Sequence, residues 1–190
     1  MTHAVHMKRF LFRLLPMLIW MCGLSGTRGY AGKEFLTDKE IEAIQINQEI
    51  HMRVKFYLEF AESRLKTAED RLNGVESVAG DPLEFFTPEE MVDGYYRILR
   101  SVMINLDEAY QNSDPRVRPK VRRALKNLKG STERALKQLE ILKKIAEEKK
   151  MEELWNLVNN AIDVTNGAQE GAELGISRDP EPPAQKKKKN

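Results

Sequence analysis

A chain of 190 residues is long enough for one domain with a substantial core and short for two. Hydrophobic residues make up 41% and charged residues 32%, a balance that suits packed helices and excludes general disorder. The net charge of +2 is unevenly spread: residues 1–31 hold Lys8, Arg9, Arg13 and Arg28 without an acid, and Lys186 to Lys189 stand near the other end, so the stretch between is net acidic.

Lys8 and Arg9 precede an apolar run from Leu14 to Leu24, the order of a secretory signal. The run is well short of the roughly 20 residues that span a bilayer, and Arg13 and Pro16 suit a permanent span poorly. Gly29-Tyr30-Ala31 sets small residues at the −3 and −1 positions of a cleavage after Ala31. The expectation is a signal peptide over 1–31, with Met7 as an alternative start, and an exported product in the periplasm or outside the cell. An uncleaved signal acting as an anchor is the lesser reading. Cys22, the single cysteine, falls in this segment, with Trp20 and Met21 where a lipidated cysteine needs small neighbours. The mature chain then has no disulfide, thiolate metal site or cysteine nucleophile.

After a short lead over 32–36, Leu36-Thr37-Asp38-Lys39-Glu40-Ile41 supplies Thr37 as N-cap, Glu40 as its capping-box partner, and Leu36 with Ile41 as a hydrophobic staple. Ile41, Ile44, Ile50, Val54, Tyr57, Ala61, Leu65, Ala68 and Leu72 recur near the helical period, which predicts one helix over 38–73 stopped by Asn73-Gly74. A linker follows. Phe86-Thr87-Pro88-Glu89-Glu90-Met91 repeats the signature, with Thr87 and Glu90 as the box and Pro88 at N1; the second helix is expected over 88–111. Capping chemistry generates such strings unaided, so they assign the chain to no family.

Asn112-Ser113-Asp114-Pro115 reads as a turn with Asp114 as N-cap of a third helix over 115–148. Between Glu133 and Trp155 no turn-forming residue appears, so one helix over 115–166 is an alternative; it would extend roughly 78 Å, far beyond its partners. A turn near Glu148 to Lys150 and a fourth helix over 150–166, in phase with Met151, Trp155, Val158 and Ile162, is preferred. Asn166-Gly167 offers the stop, with frayed chain over 167–175 and a disordered tail of Pro and Lys over 176–190. The expected fold is all-α: an antiparallel up-and-down bundle over 37–175, with four helices, or three long ones as the alternative.

The chemistry is sparse. His51 is the single histidine beyond residue 31, which excludes a His-centred triad or a multi-His zinc site in one chain. Glu49-Ile50-His51 has the wrong spacing for a di-iron motif, and Met91, Met103 and Met151, the conceivable partners of His51 on a haem, suit core packing better. No catalytic, cofactor-binding or metal residues are assigned, and no cofactor is expected. Most carboxylates have local explanations, Glu62 with Lys66 as an i,i+4 pair among them.

Arg116, Arg118, Lys120, Arg122, Arg123, Lys126 and Lys129 fill fourteen residues with no acid among them. They lie at the positive end of a helix dipole, where each cation is unfavourable by a few tenths of a kcal/mol. Surface pairs to Glu40, Glu42, Glu49, Asp107 and Glu108 on neighbouring helices would offset that. Alternatively the segment binds an anion. With no aromatic residues interleaved, nucleic acid is not the expected partner. The reading is an exported, non-catalytic bundle acting by binding or scaffolding in the cell envelope, on a protein or an anionic component, with self-association open. An electrostatic binder working through 116–129 is the first alternative, and a carrier of a cofactor or metal the second.

Overall fold

The computed structural model describes residues 35–111 and 114–178. The expected signal segment with Cys22, and the lysines of the tail, lie outside the described residues. Within them there are five helices and no strand: α1 (Asp38–Ile46), α2 (Ile50–Leu72), α3 (Pro88–Gln111), α4 (Arg118–Glu148) and α5 (Glu152–Arg178). None is long and apolar enough to cross a membrane.

The single helix expected over 38–73 is two helices. At the break Asn47 Nδ2 donates to the Ala43 carbonyl at 2.8 Å, taking the acceptor that its own backbone N–H would use in a continuing helix. Asn47 leaves the helix with ψ 87, and Glu49 is extended before α2 begins. The capping box of α1 forms: Glu40 N–H donates to Thr37 Oγ1 at 3.3 Å, and Thr37 N–H to Glu40 Oε2 at 2.7 Å.

The same Glu40 accepts a two-pronged contact from Arg64, with Nη1 to Oε1 at 2.9 Å and Nη2 to Oε2 at 2.6 Å. An unbroken helix would hold those residues about 36 Å apart. The fold-back of α1 onto α2 is therefore tied to one buried guanidinium, whose residue is 1% exposed and which also donates to the Phe35 carbonyl at 3.1 Å.

α2 buries Ile50, Val54, Leu58, Ala61, Leu65, Ala68 and Leu72, steps of three and four that keep one stripe facing inward. α3 answers with Met91, Tyr95, Ile98, Leu99, Val102 and Leu106. Asn73 and Gly74 end α2 in a Schellman turn, with Val75 N–H bonded to the Asp70 carbonyl and Gly74 N–H to that of Arg71; Gly74 has φ 81, the left-handed conformation that glycine adopts freely. Arg71 fastens the linker by donating to Ser77 Oγ at 2.7 Å, to the Glu84 carbonyl at 2.9 Å and to the Leu83 carbonyl. Thr87 and Glu90 form the second capping box, at 2.8 and 3.2 Å.

Asp114 is not the N-cap of α4. Its Oδ1 accepts from Arg116 N–H at 2.9 Å, and its carbonyl receives Val117 and Arg118 N–H, so residues 115–117 form a turn before the helix. Val117 holds the cap position without a side-chain bond. A turn after Glu148 separates α4 from α5. Met151 N–H reaches the Ala146 carbonyl at 2.8 Å and Lys150 N–H the Glu147 carbonyl at 3.1 Å, again a Schellman motif, here with Lys150 at φ 56. No glycine marks it, which is why sequence placed it so loosely.

α5 runs twelve residues beyond the expected stop, because Gly167 does not take the left-handed conformation that would end it. Ala168 and Ala172 are buried against the core. A Cβ on Gly175 would stand 2.8 Å from Leu125 Cδ1, so glycine permits close approach of α4 and α5 there. The inward stripe of α5 is Leu154, Val158, Ala161, Thr165, Ala168 and Ala172; Trp155, expected on that stripe, is 38% exposed and lies under Lys143 Nζ, 5.6 Å from the ring centre.

Pairing between helices follows from named contacts. Arg53 Nη1 reaches Asn105 Oδ1 at 3.1 Å and Arg64 borders Gly94, so α2 and α3 are antiparallel. Lys129 meets Glu173 at 3.0 Å while Lys143 lies over Trp155, so α4 and α5 are antiparallel. Glu49 with Lys120, Glu62 with Ser131, and Glu69 with Gln138 run in step, which makes α2 and α4 parallel neighbours. Tyr95 meets Thr165 in the core at 2.7 Å, joining α3 to α5.

Candidate functional site

The start of α4, the last turns of α3 and α5, and the start of α2 share one end of this arrangement. There the seven cations of 116–129 divide. Arg116 turns back on Asp114, Nη2 to Oδ2 at 2.6 Å; this bond, then that to the Arg116 backbone, holds the Asp114 carboxyl below its ordinary range, and the side-chain bond raises the guanidinium. Lys120 crosses to Glu49, just before α2, at 2.7 Å, and that bond, then its charge, lowers the Glu49 carboxyl. Lys129 bridges to Glu173 on α5, the chief cause of its raised ammonium pKa, with Glu133 at 4.0 Å adding to it. Arg122 donates to the Ile176 carbonyl at 3.1 Å.

Of the expected acidic partners, Glu49 pairs as expected, with Lys120. Glu40 is committed to Arg64, and Asp107 accepts from Gln111 at 2.7 Å. Arg122, through the Ile176 carbonyl, and Lys129, through Glu173, both reach α5. Arg118, Arg123 and Lys126 are exposed.

Beside them lies a cleft of 290 Å³ between α3, α4 and α5, walled by Met103, Leu106, Leu125, Leu128, Ala168 and Ala172. Its floor exists because α5 carries Gly167 and Gly171, where an added Cβ would meet no atom within 4 Å. It adjoins a recess of 260 Å³ lined by Tyr110 and three arginines, Arg118 and Arg122 of α4 and Arg178 of α5. Tyr110, Leu125, Gly175 and Arg178 border both. Tyr110 and Leu174 are 42% and 55% exposed at the rim.

No known family model, curated protein or solved structure matches this chain. The site is therefore argued from its own geometry.

Elsewhere, His51 is nearly covered, its Nδ1 3.4 Å from Glu49 Oε2. Among the described residues no group of three His, Cys, Asp or Glu side chains converges as a metal site would require. The methionines considered beside His51 have other surroundings: Met91 is fully buried in the core and Met103 lines the cleft. Met151 lies in the turn before α5. Arg178 and the wall formed by Ala168 and Ala172 escaped the sequence reading, which had released the chain at residue 166. Glu62, read as a surface partner of Lys66, accepts from Ser131 Oγ at 2.7 Å and Arg134 Nη2 at 2.6 Å, and so joins α2 to α4.

Proposed function

We propose that this chain is an exported binding module of the cell envelope, built as a bundle of four long helices, which holds an anionic partner on the basic groove between α4 and α5. The supporting observation is convergence: Arg118 and Arg122, near one end of α4, and Arg178, over fifty residues later, surround the same recess. Arginines drawn together from two helices offer planar, multidentate donors to carboxylate or phosphate oxygens. The exposed Arg123 and Lys126 extend that positive face along α4. A module of this kind acts by capture and release, with no bond made or broken.

The test is co-sedimentation with phosphatidylglycerol and phosphatidylcholine vesicles over a salt range. The reading expects attraction to the anionic vesicles at low salt that weakens as salt rises. Arg118→Gln and Arg178→Gln should each weaken it about fivefold, on the scale of about 1 kcal/mol per basic residue at such a surface. Absence of attraction at low salt refutes it.

A further inference from the structure

Resting on that reading of the basic groove, we infer that the adjoining cleft takes the hydrocarbon chain of a single-chain amphipathic anion, whose head group meets Arg118 and Arg178 in the recess that Arg122 also lines. The lining is ordered along the helices. Farthest along the helices from the basic end are Met103, Leu128 and Ala168, next Leu106, Leu125 and Ala172, and then the basic mouth. Gly167 to Arg178 covers about 16 Å of helix, the scale of a medium-length acyl chain. Its one acid, Asp107, lines the cleft but not the recess and is engaged by Gln111.

Three features favour a chain over other occupants. Protein interiors are close-packed, yet the two glycines at the floor leave open room where side chains would otherwise interlock. The walls are aliphatic and thioether groups, which grip a flexible chain without directional demands. The charged end is cationic, so it selects an anionic head and repels a cationic one. The rim adds exposed Tyr110 and Leu174, apolar surface that a bound chain would partly cover.

Calorimetric titration of the full chain with hexanoate, octanoate, decanoate and dodecanoate, each below its micelle concentration, tests this. The expected result is one site, tightening about fourfold per added methylene until the cleft is full, which is about 0.8 kcal/mol per buried CH₂. Decyltrimethylammonium should bind at least tenfold more weakly than decanoate. Gly171→Leu should fill the cleft and abolish binding while leaving the melting temperature equal or higher, since leucine replaces glycine within a helix at a position open to a side chain. Arg118→Gln with Arg178→Gln should weaken decanoate and spare decanol. Equal affinity for anionic and cationic chains overturns the inference, as does a folded Gly171→Leu chain that binds like the parent. A dimer that excludes decanoate, seen by light scattering, overturns it by making a second copy the occupant. Vesicle attraction that persists without decanoate binding removes the cleft and keeps the electrostatic reading. Arginine-dependent decanoate binding without vesicle attraction keeps the cleft and identifies a free fatty acid as its source; lysophosphatidylglycerol captured only from vesicles identifies a membrane as the source.

Discussion

Replacing Glu40 with alanine should be among the most damaging single changes to this fold, although Glu40 sits in a short helix with no buried residue of its own. The Arg64 side chain is 1% exposed and that of Glu40 13%, and the two meet through paired bonds of 2.9 and 2.6 Å. Without Glu40 a buried guanidinium keeps the Phe35 carbonyl but loses its counter-charge, a loss of about 3 to 5 kcal/mol. The bond from Thr37 N–H to the Glu40 carboxylate goes with it, while the backbone N–H of residue 40 keeps Thr37 Oγ1. Thr37→Ala removes the cap and spares the ion pair, so it should cost about 1 kcal/mol alone. Urea unfolding followed by far-ultraviolet dichroism measures both. A double variant, Glu40→Ala with Arg64→Met, should recover at least about 2 kcal/mol relative to the sum of the singles, because an apolar side chain needs no partner in that position. The reasoning fails if Glu40→Ala costs no more than Thr37→Ala, or if the two losses simply add.

Lys150→Gly should stabilise the chain by about 1 kcal/mol, read as a shift in the urea midpoint, because Lys150 occupies a left-handed turn at φ 56 that glycine adopts without penalty. Gly130→Ala should gain about 1 kcal/mol in the same assay, since an added Cβ there meets only Arg134 Nη1 at 3.7 Å and alanine is the better helix former. Burial holds the Tyr95 phenol well above its ordinary value of 10.0; the Thr165 bond opposes this and the Glu62 charge adds to it. Its contribution to stability is thus complete below pH 10 and declines above it, where the unfolded chain sheds the proton and the folded one does not. Tyr95→Phe should flatten that alkaline decline in urea midpoints, and tyrosinate absorbance from this residue should appear only with unfolding.

Where apolar residues recur at helical spacing, the helices were legible in sequence. Both Thr capping boxes and the Gly74 stop stand where cap chemistry put them, and so does the stripe from Ile50 to Leu72, except that Leu58 is buried in the place expected of Tyr57, which is only partly covered. What escaped depends on partners distant along the chain. Asn47 ends a helix whose apolar stripe continues beyond it, and the break is tied to an arginine seventeen residues later in the chain. Arg64 stands between Ala61 and Ala68, in phase with the core stripe, a hint that a charge there needed a partner. The continuation of α5 past Asn166-Gly167 was hidden because Asn-Gly suggests an end, whereas the helix is held past it by burial of Ala168 and Ala172 and by the close approach of Leu125, on another helix, to Gly175. With that end misplaced, Arg178 and the glycine floor could not be brought to the basic segment, so sequence supplied the mouth of the groove and missed the cavity behind it.

The order of pairing has a consequence for how the chain is made. α2 finds its antiparallel mate in the next helix, and so does α4, so each half can shelter much of its oily surface using nearby chain alone. Local contacts of that kind form quickly and early. The groove takes its walls from both halves, so it exists only when the two hairpins lie side by side. A nascent or transiently opened molecule could therefore be largely helical and still lack the cleft.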